Sequence, residues 1–377
     1  MTVLAVAAIS ARMLAEAAAR DGFDVVALDL FGDADTRRAS VQWLPIGEPA
    51  ALQFDGERVL AALHELARPG RDVIGWVAGS GFEGRPDLLA EGAKMLPLIG
   101  TAPEAVRRVR DPAAFFGALD AHGIAHPPVE TTAAPADARG WLLKDAQACG
   151  GWHIRRAREC AAEAPSHSHY FQREMPGTPM SATFIANGRE AMLLGFNELV
   201  VRPSGAHPFV FHGAIGPVPL AAGVAQRIGH AVRSLSAEFS LRGWCSLDFM
   251  LDGEAIGVLE VNPRPPASLA LYARRGLMDA QLRACLDKEL PSRALSSPSH
   301  VAGFEIVYAR RTLHLSEPSA QRLSKQARIH DLPAAGARFA AGDPVCSLSL
   351  EGRSAAQVRT QLSAGRDALL NTLETLS

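Results

Sequence analysis

Residues Gly243–Ser268 read GWCSLDFMLDGEAIGVLEVNPRPPAS. Two apolar runs, Gly243–Leu251 and Ala255–Val261, flank Asp252-Gly253, which is the turn chemistry of a β-hairpin. Asp248 sits inside the first run. Glu260 and Asn262 close the second, and they point the same way because side chains alternate across a strand. Two carboxylates and an amide oxygen facing one cavity are hard oxygen ligands, which suit magnesium better than zinc. Magnesium is seldom caged by protein alone, and nucleotide phosphates commonly complete its octahedron. Arg264 shares that face two residues on, where its planar fork fits a phosphate or a carboxylate. Buried carboxylates without a counter-charge are costly. Three oxygen ligands in register therefore argue for a magnesium–phosphate site rather than an ordinary hairpin with acids at its ends.

Upstream, Trp141–Lys144 is a short apolar strand ending in one of only four lysines in the chain. Cys149, Gly150, Gly151, Trp152 and His153 follow it. A strand-borne ammonium beside a glycine turn can meet α- and β-phosphates while backbone N–H groups and His153 cover them. Further on, Tyr170–Gly177 leads an apolar strand into Gln172 and Glu174 and then a glycine turn. That arrangement suits a hinge reading the edge of an adenine.

Working outward, the first hundred residues alternate strand and helix. Strands are expected at Val3–Ala8, Phe23–Leu30, Asp72–Ala78 and Met95–Ile99, with helices at Ala11–Arg20 and Arg58–Ala67. This alternation predicts a parallel sheet with ligands near the strand C-terminal ends. Thr101–Glu104 has the form of a capping box with Pro103 in the first turn, and Asp111-Pro112 starts another helix running to about His122. A Pro/Thr/Ala-rich boundary covers Gly123–Ala136. Helices are expected within Val218–Leu241 and at Leu277–Asp287. A linker-like stretch at Ala294–His300 precedes strands Gly303–Ala309 and Val345–Leu350, and a closing helix spans Ser354–Thr375, capped by Ser354 and Gln357. Arg202, His207 and His212 fall in a Pro/Gly-rich stretch that reads as a loop able to face substrate.

The chain has 377 residues, 48% hydrophobic and 21% charged, with a formal net charge of -2. That balance gives no reason to expect nucleic acid or a membrane surface as partner. Its apolar runs stay short of the ~18 residues a membrane span needs. Five scattered cysteines without a CxxC pair argue against a disulfide framework or a structural zinc. A cytoplasmic protein is expected.

The order strand-borne Lys with glycine loop, hinge, then Asp…Glu-x-Asn-Pro-Arg resembles the ATP-grasp superfamily over roughly residues 1 to 290, with Glu260–Arg264 its most specific motif. Members hold ATP between a small lid and a sheet bearing magnesium ligands. The resemblance implies an α/β fold in four parts. These are an N-terminal parallel α/β domain (1–105), a small α+β lid (106–190), a mixed-sheet metal and substrate subdomain (191–295), and a β-rich C-terminal extension with a closing helix (296–377).

By the same match, Lys144 binds phosphate with Gly150 and Gly151, and Gln172 and Glu174 border adenine. Asp248, Glu260 and Asn262 hold two Mg2+ ions, and Arg264 stabilises the transferred phosphoryl group or the substrate carboxylate. Two departures stand out. Relatives often carry Asp-Lys where this chain has Arg110-Asp111-Pro112, and Thr178-Pro179-Met180 supplies no ribose-binding acid past the hinge. The segments Ala27–Thr36, Gly79–Glu83, Tyr308–Arg311 and Gly342–Leu348 resemble carboligase-like ATP-grasp proteins associated with one-carbon metabolism using methanopterin-type or furan-type cofactors. Gly79–Glu83 would line the acceptor pocket.

The implied activity is that of an ATP-dependent ligase joining a small-molecule carboxylate to an amine through an acylphosphate. No Ser-His or Cys-His pairing suggests a protein nucleophile. The alternatives are a biotin-carboxylase-like enzyme activating bicarbonate, for which no Met-Lys-Met biotin site is present, and a nucleotide-binding module without turnover. The C-terminal unit would pack on the sheet or mediate a homodimer.

Overall fold

In Val3–Ala7 and Asp24–Asp29, every residue after the first is buried, whichever face it takes. A strand that is apolar on both faces needs cover on both, which is the condition for a parallel sheet. The computed structural model describes residues 2–49, 52–160, 168–292 and 300–375. It builds that sheet in the order Gln42–Pro45, Asp24–Asp29, Val3–Ala7, Val73–Ala78, all parallel. Leu4, Val6, Val25 and Ala27 pack against helix Arg12–Arg20 on one side. Ala5, Ala7, Val26 and Leu28 pack against helices Gly56–Leu66 and Pro86–Met95 on the other. The turns after three strands meet at one edge, where Ile9 N–H donates to Ser80 and Leu30 N–H to Ile9.

The strand expected at Met95–Ile99 is not formed. Met95 ends a helix, and only a single parallel bridge, Trp76 to Leu98, joins this segment to the sheet. Pro97 can accept from Trp76 N–H but has no N–H to extend a ladder. The capping box at Thr101 also fails, since Ala102 occupies the N-cap position. Thr101 instead bonds across the molecule, its hydroxyl donating to Arg242 O (3.1 Å) and accepting from Arg242 N–H (3.0 Å). It thereby pins the first residue of the hairpin. Asp111 does cap the next helix, Pro112–Ala121, through Ala114 N–H at 2.7 Å.

A small antiparallel sheet follows in the order Val129–Glu130, His169–Arg173, Trp141–Asp145, Arg155–Arg156. The largest sheet is antiparallel with eight strands. It runs Ala255–Asn262, Arg242–Asp252, Thr178–Asn187, Ala191–Ser204, His207–Gly216, Val301–Tyr308, Pro344–Gly352 and Ile329–His330. It thus passes through the boundaries read at residues 190 and 295. Helix Ala222–Glu238 lays Val224, Ile228, Ala231, Val232 and Leu235 against Phe184, Cys245 and Leu247. That fixes which face of the hairpin is core and leaves the other for Ser246 and Asp248. The closing helix, Ala355–Thr375, is capped by Ser354 and Gln357 as expected: Gln357 N–H donates to Ser354 Oγ, and Gln357 Oε1 accepts from Arg353 N–H, one residue before the N-cap of a standard capping box. The linker read at Ala294–His300 lies, apart from His300, outside the described residues. No helix among the described residues is long and apolar enough to cross a membrane.

One side chain joins the first sheet's domain to the last helix before that linker. Asp21 accepts from Gly276 N–H (2.6 Å), Met278 N–H (2.7 Å) and Asp279 N–H (3.2 Å), capping helix Leu277–Leu282 from another part of the chain. Asp21→Ala should therefore cost about 1–2 kcal/mol, read as a lower urea midpoint with unchanged slope. An unchanged midpoint would contradict the cap.

Candidate active site

The hairpin forms as expected, with Asp248 directly opposite Glu260 and Ser246 opposite Asn262. Period two alone would carry the polar face back to Val258. The pairing instead shifts after Asp248, so that Phe249 faces Val258 and Leu259 is the extra, bulged residue. Val258 is thereby sent into the core and Glu260 into the cavity. The bulge is what lets a fully apolar strand end in a carboxylate.

Burial, followed by repulsion from Glu260, pushes the Asp248 carboxyl up from the ordinary carboxylate range. Burial acts the same way on Glu260, but the positive charges of Arg110 and Lys144 outweigh it and hold Glu260 below its usual value. Asp248 is steadied by neutral donors: Asn262 Nδ2 at 3.0 Å and Ser246 Oγ at 3.4 Å. Because Asn262 spends its N–H groups on Asp248 and Ser246, its Oδ1 is turned toward Arg264, whose Nη2 lies 3.3 Å away. The three oxygen donors fit a hard divalent cation in identity, and all three residues line the same cavity.

Arg110 is the cation of this cluster that sequence reading placed least firmly. Its Nη1 donates to Glu260 Oε2 (2.9 Å), while Nε and Nη2 donate to the carbonyls of Ala146 and Ala148 (2.8 and 2.9 Å). It ties the metal-type carboxylate to the segment leading into the glycine loop. Lys144 is buried, with Nζ 3.2 Å from Gln172 Oε1. Gln172 Nε2 is buried without a hydrogen-bond partner, a donor aimed at nothing in the protein. Glu174 pairs with Arg156 at 2.8 Å. The glycine loop rests on the central sheet, where Gly150 O accepts from Phe211 N–H (2.9 Å). A Cβ on Gly151 would lie 1.9 Å from Phe209 O, and φ there is +78°, so only glycine fits. Half-buried His153 has an unpartnered Nδ1, and burial pushes it down to about 4, which keeps the ring neutral.

Arg264 does share the face, but its strongest partner comes from the first domain. Its Nε and Nη2 donate to Glu83 Oε1 at 3.0 and 2.7 Å, and Glu83 Oε2 accepts from Gly81 N–H at 2.6 Å. Burial alone would raise Glu83, yet Arg264 keeps it below its ordinary value. All nine residues expected at the site, Lys144, Gly150, Gly151, Gln172, Glu174, Asp248, Glu260, Asn262 and Arg264, line one cavity of about 2470 Å3. Glu83, Ser246 and Ser181 line it too. Ser246 was findable by stepping back two residues from Asp248. Ser181, opposite Asp248 on the next strand, carries no local signal.

The loop expected around Arg202, His207 and His212 is instead two paired strands. Arg202 pairs with buried Glu305, His207 Nδ1 lies 2.7 Å from Trp152 O, and His212 packs on Tyr308. Pro203 and Pro208 had suggested a break, but both are accommodated where the pairing is irregular.

Removing one member of the buried Glu83–Arg264 pair should cost about 3–5 kcal/mol, because the other charge is left uncompensated. Glu83→Ala and Arg264→Ala should then lose less together than the sum of their separate losses. Urea unfolding of the three variants checks this, and strictly additive losses would contradict the pairing.

Residues 109–268 match a family model described as an ATP-grasp domain. The carbamoyl phosphate synthase large chain of Pseudarthrobacter chlorophenolicus is 25% identical over 202 residues, 48% of this chain and 18% of that one. The chain spans less than a quarter of the length of such relatives, 18% of this one and 23% of the corresponding chain from Rubrobacter xylanophilus. The L-amino acid ligase of Bacillus licheniformis superposes with a TM-score of 0.71 at 15% identity, covering 97% of each chain. The biotin carboxylase of Campylobacter jejuni, solved as a β,γ-ATP complex, gives 0.72 at 12% identity, covering 98% of this chain and 95% of that one. At these identities the two structures speak for fold alone. The chain has the ATP-grasp fold, and its residues 109–268 are similar to the ATP-grasp domain family.

Proposed function

We propose that the protein is an ATP-dependent, magnesium-requiring ligase that joins a carboxylate to an amine through an acylphosphate. The observation that carries this reading is the convergence of Asp248, Glu260 and Asn262 with Lys144, the glycine loop and Arg264 on one cavity. Magnesium, when bound by those three oxygen donors, neutralises charge on the transferring phosphoryl group. Lys144 and the N–H groups around Gly150 and Gly151 hold the nucleotide phosphates. Gln172, with its unpartnered donor, and Glu174 border the adenine. Arg264, aligned by Glu83, uses its remaining N–H groups on the carboxylate. The γ-phosphoryl passes to a carboxylate oxygen as its bond to ADP breaks, and the amine nitrogen then attacks the acyl carbon. Phosphate leaves and one amine proton is lost. The glycine loop, seated on Phe211 through Gly150 and on His207 and Tyr308 through Trp152, keeps water from the acylphosphate.

The acceptor side includes Gly79–Glu83. A cavity of about 2470 Å3 exceeds the 300–1,000 Å3 of a single-ligand pocket and leaves room for a second substrate beside a nucleotide. The reading extends to an amide formed while building a one-carbon carrier cofactor in the cytoplasm, by a chain that assembles as a homodimer. What supports the cofactor role is the sequence resemblance of Ala27–Thr36, Gly79–Glu83, Tyr308–Arg311 and Gly342–Leu348.

Purified protein with Mg-ATP should release phosphate when offered a panel of acids together with amines. EDTA should abolish the release, and Glu260→Ala should lower kcat by about 100-fold or more. No release across a broad panel would overturn the ligase reading. Release that needs bicarbonate and no amine would favour the biotin-carboxylase-like alternative. ATP binding that survives Glu260→Ala unchanged, without turnover in either protein, would mark a binding module.

A further inference from the structure

Four carboxylates gather where the C-terminal end of the parallel sheet meets the last domain: Asp29, Asp33, Asp35 and Asp331. Three of them are fully engaged. Asp29 accepts from the N–H groups of Ala11 (3.0 Å) and Gly32 (2.9 Å) and from the Trp43 indole (2.7 Å). Asp35 accepts from Asp331 N–H (2.8 Å) and Leu332 N–H (3.0 Å). Asp331 takes Arg12 Nε at 2.8 Å and the hydroxyls of Ser10 and Ser347.

Asp33 differs. Among the described residues its carboxylate has no hydrogen bond or ion pair, although the residue is only 9% exposed. It precedes the short helix Ala34–Arg38 without capping it. It lines the same cavity as Glu83 and Arg264. The nearby cation, Arg12, is held by Asp331 and Glu16. Burial, then the charges of Asp331, Asp29 and Asp35, push Asp33 up to about 8 against a smaller pull from Arg12.

A buried carboxylate without a partner is costly. Three more negative charges around it make this part of the wall attractive to a cation arriving from the cavity. We propose that Asp33 is the specificity residue for the acceptor substrate, binding, in its ammonium form, an amino group of that molecule distinct from the nitrogen that attacks the acyl carbon. An ammonium gains a charge-assisted hydrogen bond there and relieves the repulsion among the four acids. A hydroxyl of the same size gains neither. Phe31 and Phe54 line the same cavity and supply apolar surface for the skeleton carrying the amine. Assigning this group to the acceptor rests on the ligase reading, but the amine preference itself needs no ATP turnover, so the two can fail separately.

The test is ligand-observed NMR and calorimetry on the full chain without ATP, using n-hexylamine and phenethylamine, each beside its matching alcohol. Wild type should bind each amine in the millimolar range and about tenfold or more tighter than the alcohol. Asp33→Asn should abolish that preference while leaving the Tm at or above the wild-type value, since it removes a group whose ionisation the three neighbouring acids oppose. Asp33→Ser serves as the second variant should the first not fold. Amines and alcohols binding alike, neither binding, or a preference that persists in the Asp33 variants would each overturn the proposal. An amine preference lost with Asp33 would stand even if no acid and amine pair released phosphate.

Discussion

Two carboxylates placed directly opposite each other on adjacent strands, both half-buried at the cavity wall, are the constraint around which this molecule is arranged. Asp248 and Glu260 repel one another, and burial makes each charge more costly. The sheet resolves the conflict asymmetrically. Glu260 pairs directly with Arg110, whereas Asp248 hydrogen-bonds the neutral donors Asn262 and Ser246 and feels Arg264 only through space. Both carboxylates face the cavity, where their oxygens are of the type a hard divalent cation takes.

The same counter-charges hold the domains in place. Arg110 caps the end of one helix, touches Glu260 in the large sheet, and grips two carbonyls ahead of the glycine loop. The position of the segment leading into the glycine loop is therefore linked to the charge of Glu260. Arg264 plays the matching part toward the first domain through Glu83, and Asp21 and Thr101 add two further ties across the same boundary. Each tie joins a charged or polar side chain to a group far away in sequence. The relative placement of the parallel sheet, the glycine-loop segment and the large antiparallel sheet is thus set by a few directional contacts and not by apolar packing alone.

Much of this was legible in the sequence where the signal is local. The hairpin, its turn, and the shared face of Asp248, Glu260 and Asn262 follow from period two and turn chemistry, and the strand ending in Lys144 follows from composition. What was not legible is long-range. Nothing near Arg110 announces a bond to a residue 150 positions away, and nothing near Thr101 says it will pair with Arg242 rather than cap its own helix. The bulge at Leu259 is invisible because a β-bulge requires no particular residue there. The strands carrying Arg202, His207 and His212 were read as loop because Pro and Gly dominate local propensity, while the pairing that overrides them comes from the neighbouring strands.

The central claim, that the hairpin carboxylates form a divalent-metal site completed by nucleotide, is tested most directly by counting metal. Electron paramagnetic resonance of Mn2+ titrated into the protein with a non-hydrolysable ATP analogue should reveal tight binding that needs both protein and nucleotide. The same titration of Asp248→Asn/Glu260→Gln should lose it while the fold, followed by circular dichroism, is retained. Equal Mn2+ binding in the wild type and the double variant would place the metal elsewhere and contradict the account.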